Sequence, residues 1–149
     1  MTRLHHAGVC VHDLDTSLRF YRDGLEMQVL VDTVLTNDLE PLLGVSTDEV
    51  RIVFLGSSDN SDSGIIELID LGLPAIADGQ PQQGLPARGV FLLSVQVDVD
   101  AVLSRLAGLG LGGTPRTFVT PTGATAATVV DPDGVMVELL PLTPLSVMG

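Results

Sequence analysis

Two of the five glutamates in this 149-residue chain sit where a carboxylate is costly. Glu67 lies within Ile65-Ile66-Glu67-Leu68-Ile69, and Glu138 within Val135-Met136-Val137-Glu138-Leu139-Leu140. Glu26, Glu40 and Glu49 fall instead in helix-end or loop contexts. A carboxylate among Ile, Leu, Met and Val must be paired, protonated or bound to a cation, or else face water on an open sheet. A third polar group interrupts a similar apolar run: His6, within Leu4 to Val11. One imidazole and two carboxylates can hold a divalent cation or move a proton to and from carbon. The two readings of the glutamates are a shared functional cavity and a solvated sheet face.

The elements that carry these residues follow from the period of the apolar positions. Leu4 to Val11 alternates as a strand, with Ala7, Val9 and Val11 on one face and His6, Gly8 and Cys10 on the other. The period then changes to that of a helix capped by Asp13 or Asp15, with Leu14, Leu18, Tyr21 and Leu25 on its stripe and Gly24 near its end. Met27 to Thr36, Val50 to Gly56 and Ile65 to Ile69 are strands, with a loop or short helix across residues 37–49. After a Pro/Gln/Gly-rich stretch the order recurs. Val90 to Val97 is a strand, Asp98 caps a helix with Val99, Val102, Leu103 and Leu106 on one face, and glycines 108 and 110 end it. Thr117 to Thr120, Ala126 to Val130 and Val135 to Leu140 complete three strands, the last two joined by the turn Asp131-Pro132-Asp133-Gly134. The prediction is an α+β fold of two βαβββ modules in a single domain over residues 1–149: module 1 at about 4–70, a linker at about 71–89 and module 2 at about 90–141. Facing alternation sets Glu67 away from the core residues Ile66 and Leu68. Likewise Met136, Glu138 and Leu140 lie opposite Val135, Val137 and Leu139.

Composition removes several function classes. All seven basic residues are arginine, so Schiff-base chemistry and the P-loop lysine are excluded. A formal net charge of −12 opposes nucleic acid and anionic membrane surfaces. No apolar run reaches the roughly 18 residues of a membrane span, the start lacks a signal-peptide pattern, and a single cysteine suits a reducing compartment, so the expectation is a cytoplasmic protein. The glycines at 108–113 follow a helix instead of opening one, unlike a phosphate loop. Other candidates read as structural. His5 alternates away from His6 as a packing or surface residue, His12 is solvated at a strand end, and Tyr21 belongs to the helix stripe. Cys10 shares the face of His6 and can line a pocket, although a lone cysteine is more often inert packing. Arg51, Arg88 and Arg116 are candidates to meet an anionic ligand, and nothing in the sequence selects one.

Leu4-His5-His6-Ala7-Gly8-Val9-Cys10-Val11-His12-Asp13-Leu14-Asp15, followed by Phe20-Tyr21-Arg22-Asp23-Gly24-Leu25, resembles the opening signature of the vicinal oxygen chelate superfamily. Val130-Asp131-Pro132-Asp133-Gly134-Val135-Met136-Val137-Glu138-Leu139 resembles its closing signature. That superfamily groups glyoxalase I, methylmalonyl-CoA epimerase, extradiol dioxygenases, fosfomycin-resistance enzymes and bleomycin-binding proteins. The resemblance implies a mixed sheet curled around a cup, helices on its outer face, and often a homodimer. It implies a divalent metal (Zn, Ni, Mn, Fe, Co or Mg) held by one residue from each of four strands: His6 at the first position, Glu67 at the second and Glu138 at the fourth. Counting back from Val97-Asp98 puts Leu92 at the third, and leucine cannot ligate.

The two-His-one-carboxylate set of the dioxygenases and fosfomycin enzymes is therefore missing, and the absence of Trp weakens a bleomycin-type reading. The leading expectation is a metal-dependent isomerase, lyase or epimerase acting on a small molecule with adjacent oxygens. In it Glu67 or Glu138 serves as general base, and Leu92, Ser94, Gln96, Cys10 and Met136 line the substrate site. The rival is a metal-free protein that binds a hydrophobic or cationic small molecule in the same cup.

Overall fold

The computed structural model describes residues 1–73, 76–79 and 85–143, so part of the sequence-predicted linker lies outside the described residues. The chain divides into two compact units, Met1–Arg22 with Glu26–Ala77, and Asp23–Leu25 with Asp78–Gly149.

The first unit opens with β1 (His6–Cys10) and α1 (Leu14–Leu18). Asp13 caps α1 through its carboxylate, which accepts the backbone N–H groups of Asp15 at 3.0 Å and Thr16 at 3.3 Å. The predicted helix continues to Gly24, but as a π-helical segment from Arg19 to Gly24. There Phe20 and Tyr21 are fully buried, with ring centroids 4.8 Å apart, so Tyr21 is a core residue. β2 (Gln28–Leu35), the short α2 (Glu40–Leu43), β3 (Val50–Gly56) and β4 (Ile65–Asp70) follow. The sheet order is β1-β4-β3-β2. The meander β2-β3-β4 is antiparallel, and it returns β4 alongside β1 in parallel. Val9, Leu18, Val53, Leu55 and Leu68 form the core, with α1 packed against β4. Each such side chain contributes about 1.5–3 kcal/mol on leaving water.

The second unit repeats the plan with β5 (Leu92–Gln96), α3 (Val99–Leu109), β6 (Gly112–Val119), β7 (Thr125–Val130) and β8 (Met136–Leu140). Its sheet order is β5-β8-β7-β6, again with the first and last strands parallel. Asp98 caps α3 on the N–H of Ala101 at 3.2 Å. Gly110, at φ 70°, ends the helix, its N–H on Ala107 O and that of Leu111 on Leu106 O. These paired bonds need the left-handed conformation glycine supplies. Val102, Leu106, Val129, Val137 and Leu139 form this core, with α3 against β6 and β7.

β6 is longer than the sequence predicts, starting at Gly112 instead of Thr117. Gly-Gly-Thr-Pro reads as a breaker, yet β6 is an edge strand, where proline deprives no neighbour of a ladder bond. The pairing register also shifts between Gly112 and Arg116, which absorbs the irregular residues. Gly112 has φ 91°, and a Cβ there would lie 3.4 Å from Leu106 Cβ, so the strand approaches α3 closely at this point. Two four-stranded mixed sheets carrying few helices make an α+β fold of two modules. No helix among the described residues is long and apolar enough to cross a membrane.

Candidate functional site

In the first unit β1 and β4 pair with Gly8 opposite Glu67, and β3 sets Phe54 opposite the same glutamate on its other side. Directly opposed residues share a face, so Gly8, Glu67 and Phe54 form a row on the face turned away from Leu68. His6 lies two residues before Gly8 on that face. Its Nε2 is 3.6 Å from Glu67 Oε1, with the side chains 38% and 14% exposed respectively. The carboxylate is thus largely withdrawn from water while the ring edge stays open. Phe54 meets the His6 ring edge-on at 5.6 Å between centroids, and His5 meets it at 5.1 Å.

The His5 contact departs from the sequence expectation. β1 begins at His6, so alternation does not govern His5, whose Nδ1 lies 2.8 Å from Nδ1 of His6.

In the second unit β5 and β8 pair with Leu92 opposite Met136, Ser94 opposite Glu138 and Gln96 opposite Leu140. The Ser94 hydroxyl donates to Glu138 Oε1 at 2.8 Å. Thr128 faces Glu138 from β7, and Arg116 faces Thr128 from β6, which completes a row Ser94–Glu138–Thr128–Arg116. Of the three arginines left open by the sequence, Arg116 shares a face with a candidate glutamate. Arg51 is engaged in a two-point contact with Asp32 at 2.8 and 3.1 Å. That hydrogen bond holds the Asp32 carboxyl below the usual range and raises the guanidinium.

The residues expected to line a substrate site fare differently. Cys10 is exposed, and Leu92 is half-buried. Ser94 is committed to Glu138, and the Gln96 amide donates to the carbonyl of Thr143 at 2.6 Å. Met136 is buried at 6% exposure.

Register also relates one unit to the other without reference to any relative. Gly8 opposite Glu67 corresponds to Ser94 opposite Glu138, so His6 corresponds to Leu92, Cys10 to Gln96 and Phe54 to Thr128. The repeat thus independently locates leucine where the first unit carries its imidazole. Glu67 has a ring nitrogen beside it, and Glu138 has a hydroxyl and an apolar side chain.

A divalent cation fits the first of these environments. Nε2 and Oε1 at 3.6 Å lie too far apart to hydrogen bond, and this is about the separation of two ligand atoms each roughly 2.1 Å from one ion. Among the described residues no three His, Cys, Asp or Glu side chains cluster as a ready-made metal cage. The fit therefore rests on the His6–Glu67 pair. A separate depression of about 410 Å³ in the first unit is bordered by Asp48, Glu49, Asp70 and the Asp32-paired Arg51, and includes neither His6 nor Glu67.

Phe54 and His5 are the site residues the sequence reading missed. Phe54 was findable, since pairing β3 to β4 across the turn at 57–64 sets it opposite Glu67.

Comparison with known proteins agrees with this architecture. A protein of Aspergillus terreus described as lactoylglutathione lyase-like protein terB is 34% identical over 146 residues, which span 92% of this chain and 74% of that relative. The solved glyoxalase I of Leishmania major, described as trypanothione-dependent, is 25% identical with a TM-score of 0.66, covering 95% of this chain and 87% of that one. A glyoxalase family protein from Bacillus cereus has the same fold, with a TM-score of 0.74 at 20% identity over 95% of this chain and 94% of its own. The profile of the Glyoxalase/Bleomycin resistance protein/Dioxygenase superfamily matches residues 3–139. The repeated βαβββ order, the paired signatures and these matches agree, and the chain belongs to that superfamily.

Proposed function

We propose that this protein is a metal-dependent isomerase, lyase or epimerase acting on a small molecule with adjacent oxygens. The observation that supports this reading best is the His6–Glu67 pair, an imidazole nitrogen and a carboxylate oxygen 3.6 Å apart on a sheet face. His6, Glu67 and Glu138 are the proposed ligands. A divalent ion bound there would polarise a substrate carbonyl and stabilise the enolate formed next to it. Glu67 or Glu138 takes the proton from the carbon adjacent to that carbonyl; its return to the neighbouring carbon gives isomerisation, and delivery of a proton to the opposite face by the other glutamate gives epimerisation, with no net change in protons. Ser94 holds Glu138 in place, and Phe54 packs against the edge of the His6 ring. On this reading residues 1–149 act as one domain, in a cytoplasmic homodimer.

Thermal unfolding with and without Zn²⁺, Ni²⁺, Mn²⁺, Co²⁺, Fe²⁺ or Mg²⁺ tests the proposal. Stabilisation by at least one ion, lost in His6→Ala, is the expected result. Indifference to all six overturns it.

One observation favours a second reading, a metal-free protein that binds an apolar or cationic small molecule. Leu92 replaces the imidazole in the second unit, beside the buried Met136. A ligand found by native mass spectrometry on protein freed of metal, and displaced by Leu92→Asp, supports this reading over the first.

A further inference from the structure

The contact between His5 and His6 has a chemical consequence that rests on the reading of His6 as a ligand. A neutral imidazole carries one N–H and one bare nitrogen. With the two Nδ1 atoms 2.8 Å apart, one proton lies between them, so the rings hold opposite tautomers. If His6 carries its proton on Nδ1, its Nε2 is bare. If His5 donates from its own Nδ1, the proton of His6 sits on Nε2.

The second contact of His6 decides between these arrangements. Nε2 lies 3.6 Å from Glu67 Oε1. With nothing between them, an N–H aimed at the carboxylate is favourable, whereas a bare lone pair facing it is repelled. With a cation between them, Nε2 must be bare. We propose that His5 is a positioning residue that sets which nitrogen of His6 carries the proton, donating from Nδ1 to Nδ1 of His6 when no cation is bound and accepting there when His6 binds one. In the exchange each ring keeps one proton: the shared proton moves from Nδ1 of His5 to Nδ1 of His6, Nε2 of His6 gives its proton up to water, and Nε2 of His5 takes one from water. Alanine at position 5 could fill neither role, and an aspartate could only accept. The Phe54 ring, edge-on at 5.6 Å, restricts rotation of His6 away from this arrangement. Fixing the tautomer of a metal-ligating histidine through its other nitrogen is the usual task of an outer partner, and removal of such a partner costs roughly 10–100-fold in affinity.

Long-range ¹H–¹⁵N correlation of the imidazoles, at a pH where both rings are neutral, tests the proposal. The expected result in metal-free protein is His6 protonated at Nε2 and His5 at Nδ1, with both reversed on adding Zn²⁺. His5→Ala, at an exposed position ahead of β1, should fold normally. With Glu67 alone left to favour it, the Nε2–H preference of His6 should weaken, and Zn²⁺ binding should fall by about tenfold, the lower end of that range because the pair is exposed. His5→Gln, whose amide can donate or accept, should recover part of both. Like tautomers on the two rings of the metal-free protein, or a His6 tautomer unchanged in His5→Ala, would overturn the proposal. If the wild-type protein binds no divalent ion, the proposed function fails, while the metal-free spectra still decide the role of His5.

Discussion

Replacing Ser94 by alanine removes the hydroxyl that donates to Glu138 at 2.8 Å. A hydrogen bond to a charged group contributes about 1.5–3 kcal/mol. Ser94 is exposed and Glu138 half-buried, so water recovers part of what the hydroxyl supplied. We therefore expect a loss of about 1 kcal/mol, or a fall in Tm of roughly 2–4 °C for a chain of this size. Glu138→Ala, which removes the acceptor, and the double variant complete a cycle in which the coupling energy isolates the bond from side effects of each change. Urea unfolding of the four proteins at neutral pH should give a coupling near 1 kcal/mol, and Ser94→Thr should retain most of it. A coupling below about 0.3 kcal/mol, within the error of additive sites, would refute the claim that Ser94 holds Glu138.

Leu92→His should restore the imidazole the register comparison finds missing, tightening Zn²⁺ binding at least about tenfold, or 1.4 kcal/mol, by calorimetric titration. Thr47 is buried, accepts the N–H of Leu39 and donates to the carbonyl of Asn37, both at 2.9 Å, so Thr47→Val should cost about 1–3 kcal/mol in denaturant unfolding. The backbone N–H groups of Glu40 and Thr47 hold the Asp38 carboxyl below its usual value. Its folded pKa is lowered, so its stabilisation is present above about pH 4 and is lost as the pH falls through the folded value. The stability difference between wild type and Asp38→Asn should therefore shrink below about pH 4, as followed by urea unfolding across that range.

Most of the fold was legible because its signals are local. Asp13 and Asp98 cap where a carboxylate precedes an apolar stripe, Gly110 ends α3, and the turn at Asp131 closes on that residue's own carboxylate, which accepts from Asp133 and Val135 at 2.8 Å. β6 was less legible, because an edge strand tolerates Gly and Pro that would disrupt a central one. At the site, strand parity was enough to bring His6 and Glu67 to one face. It did not predict the side-chain partners. Ser94 reads as a substrate contact until β5 is aligned with β8, and His5 reads as turned away until β1 is seen to begin at His6 instead of Leu4. Both outcomes depend on register and on strand ends, which a single strand's alternation does not encode.

Metal content tests the central claim most directly, by elemental analysis of protein purified without chelator alongside His6→Ala and Glu67→Gln. The account predicts a divalent ion retained by the wild-type chain, or taken up on titration, and lost in both variants. A wild-type protein that holds none and takes up none, or variants that bind as well as wild type, would contradict it.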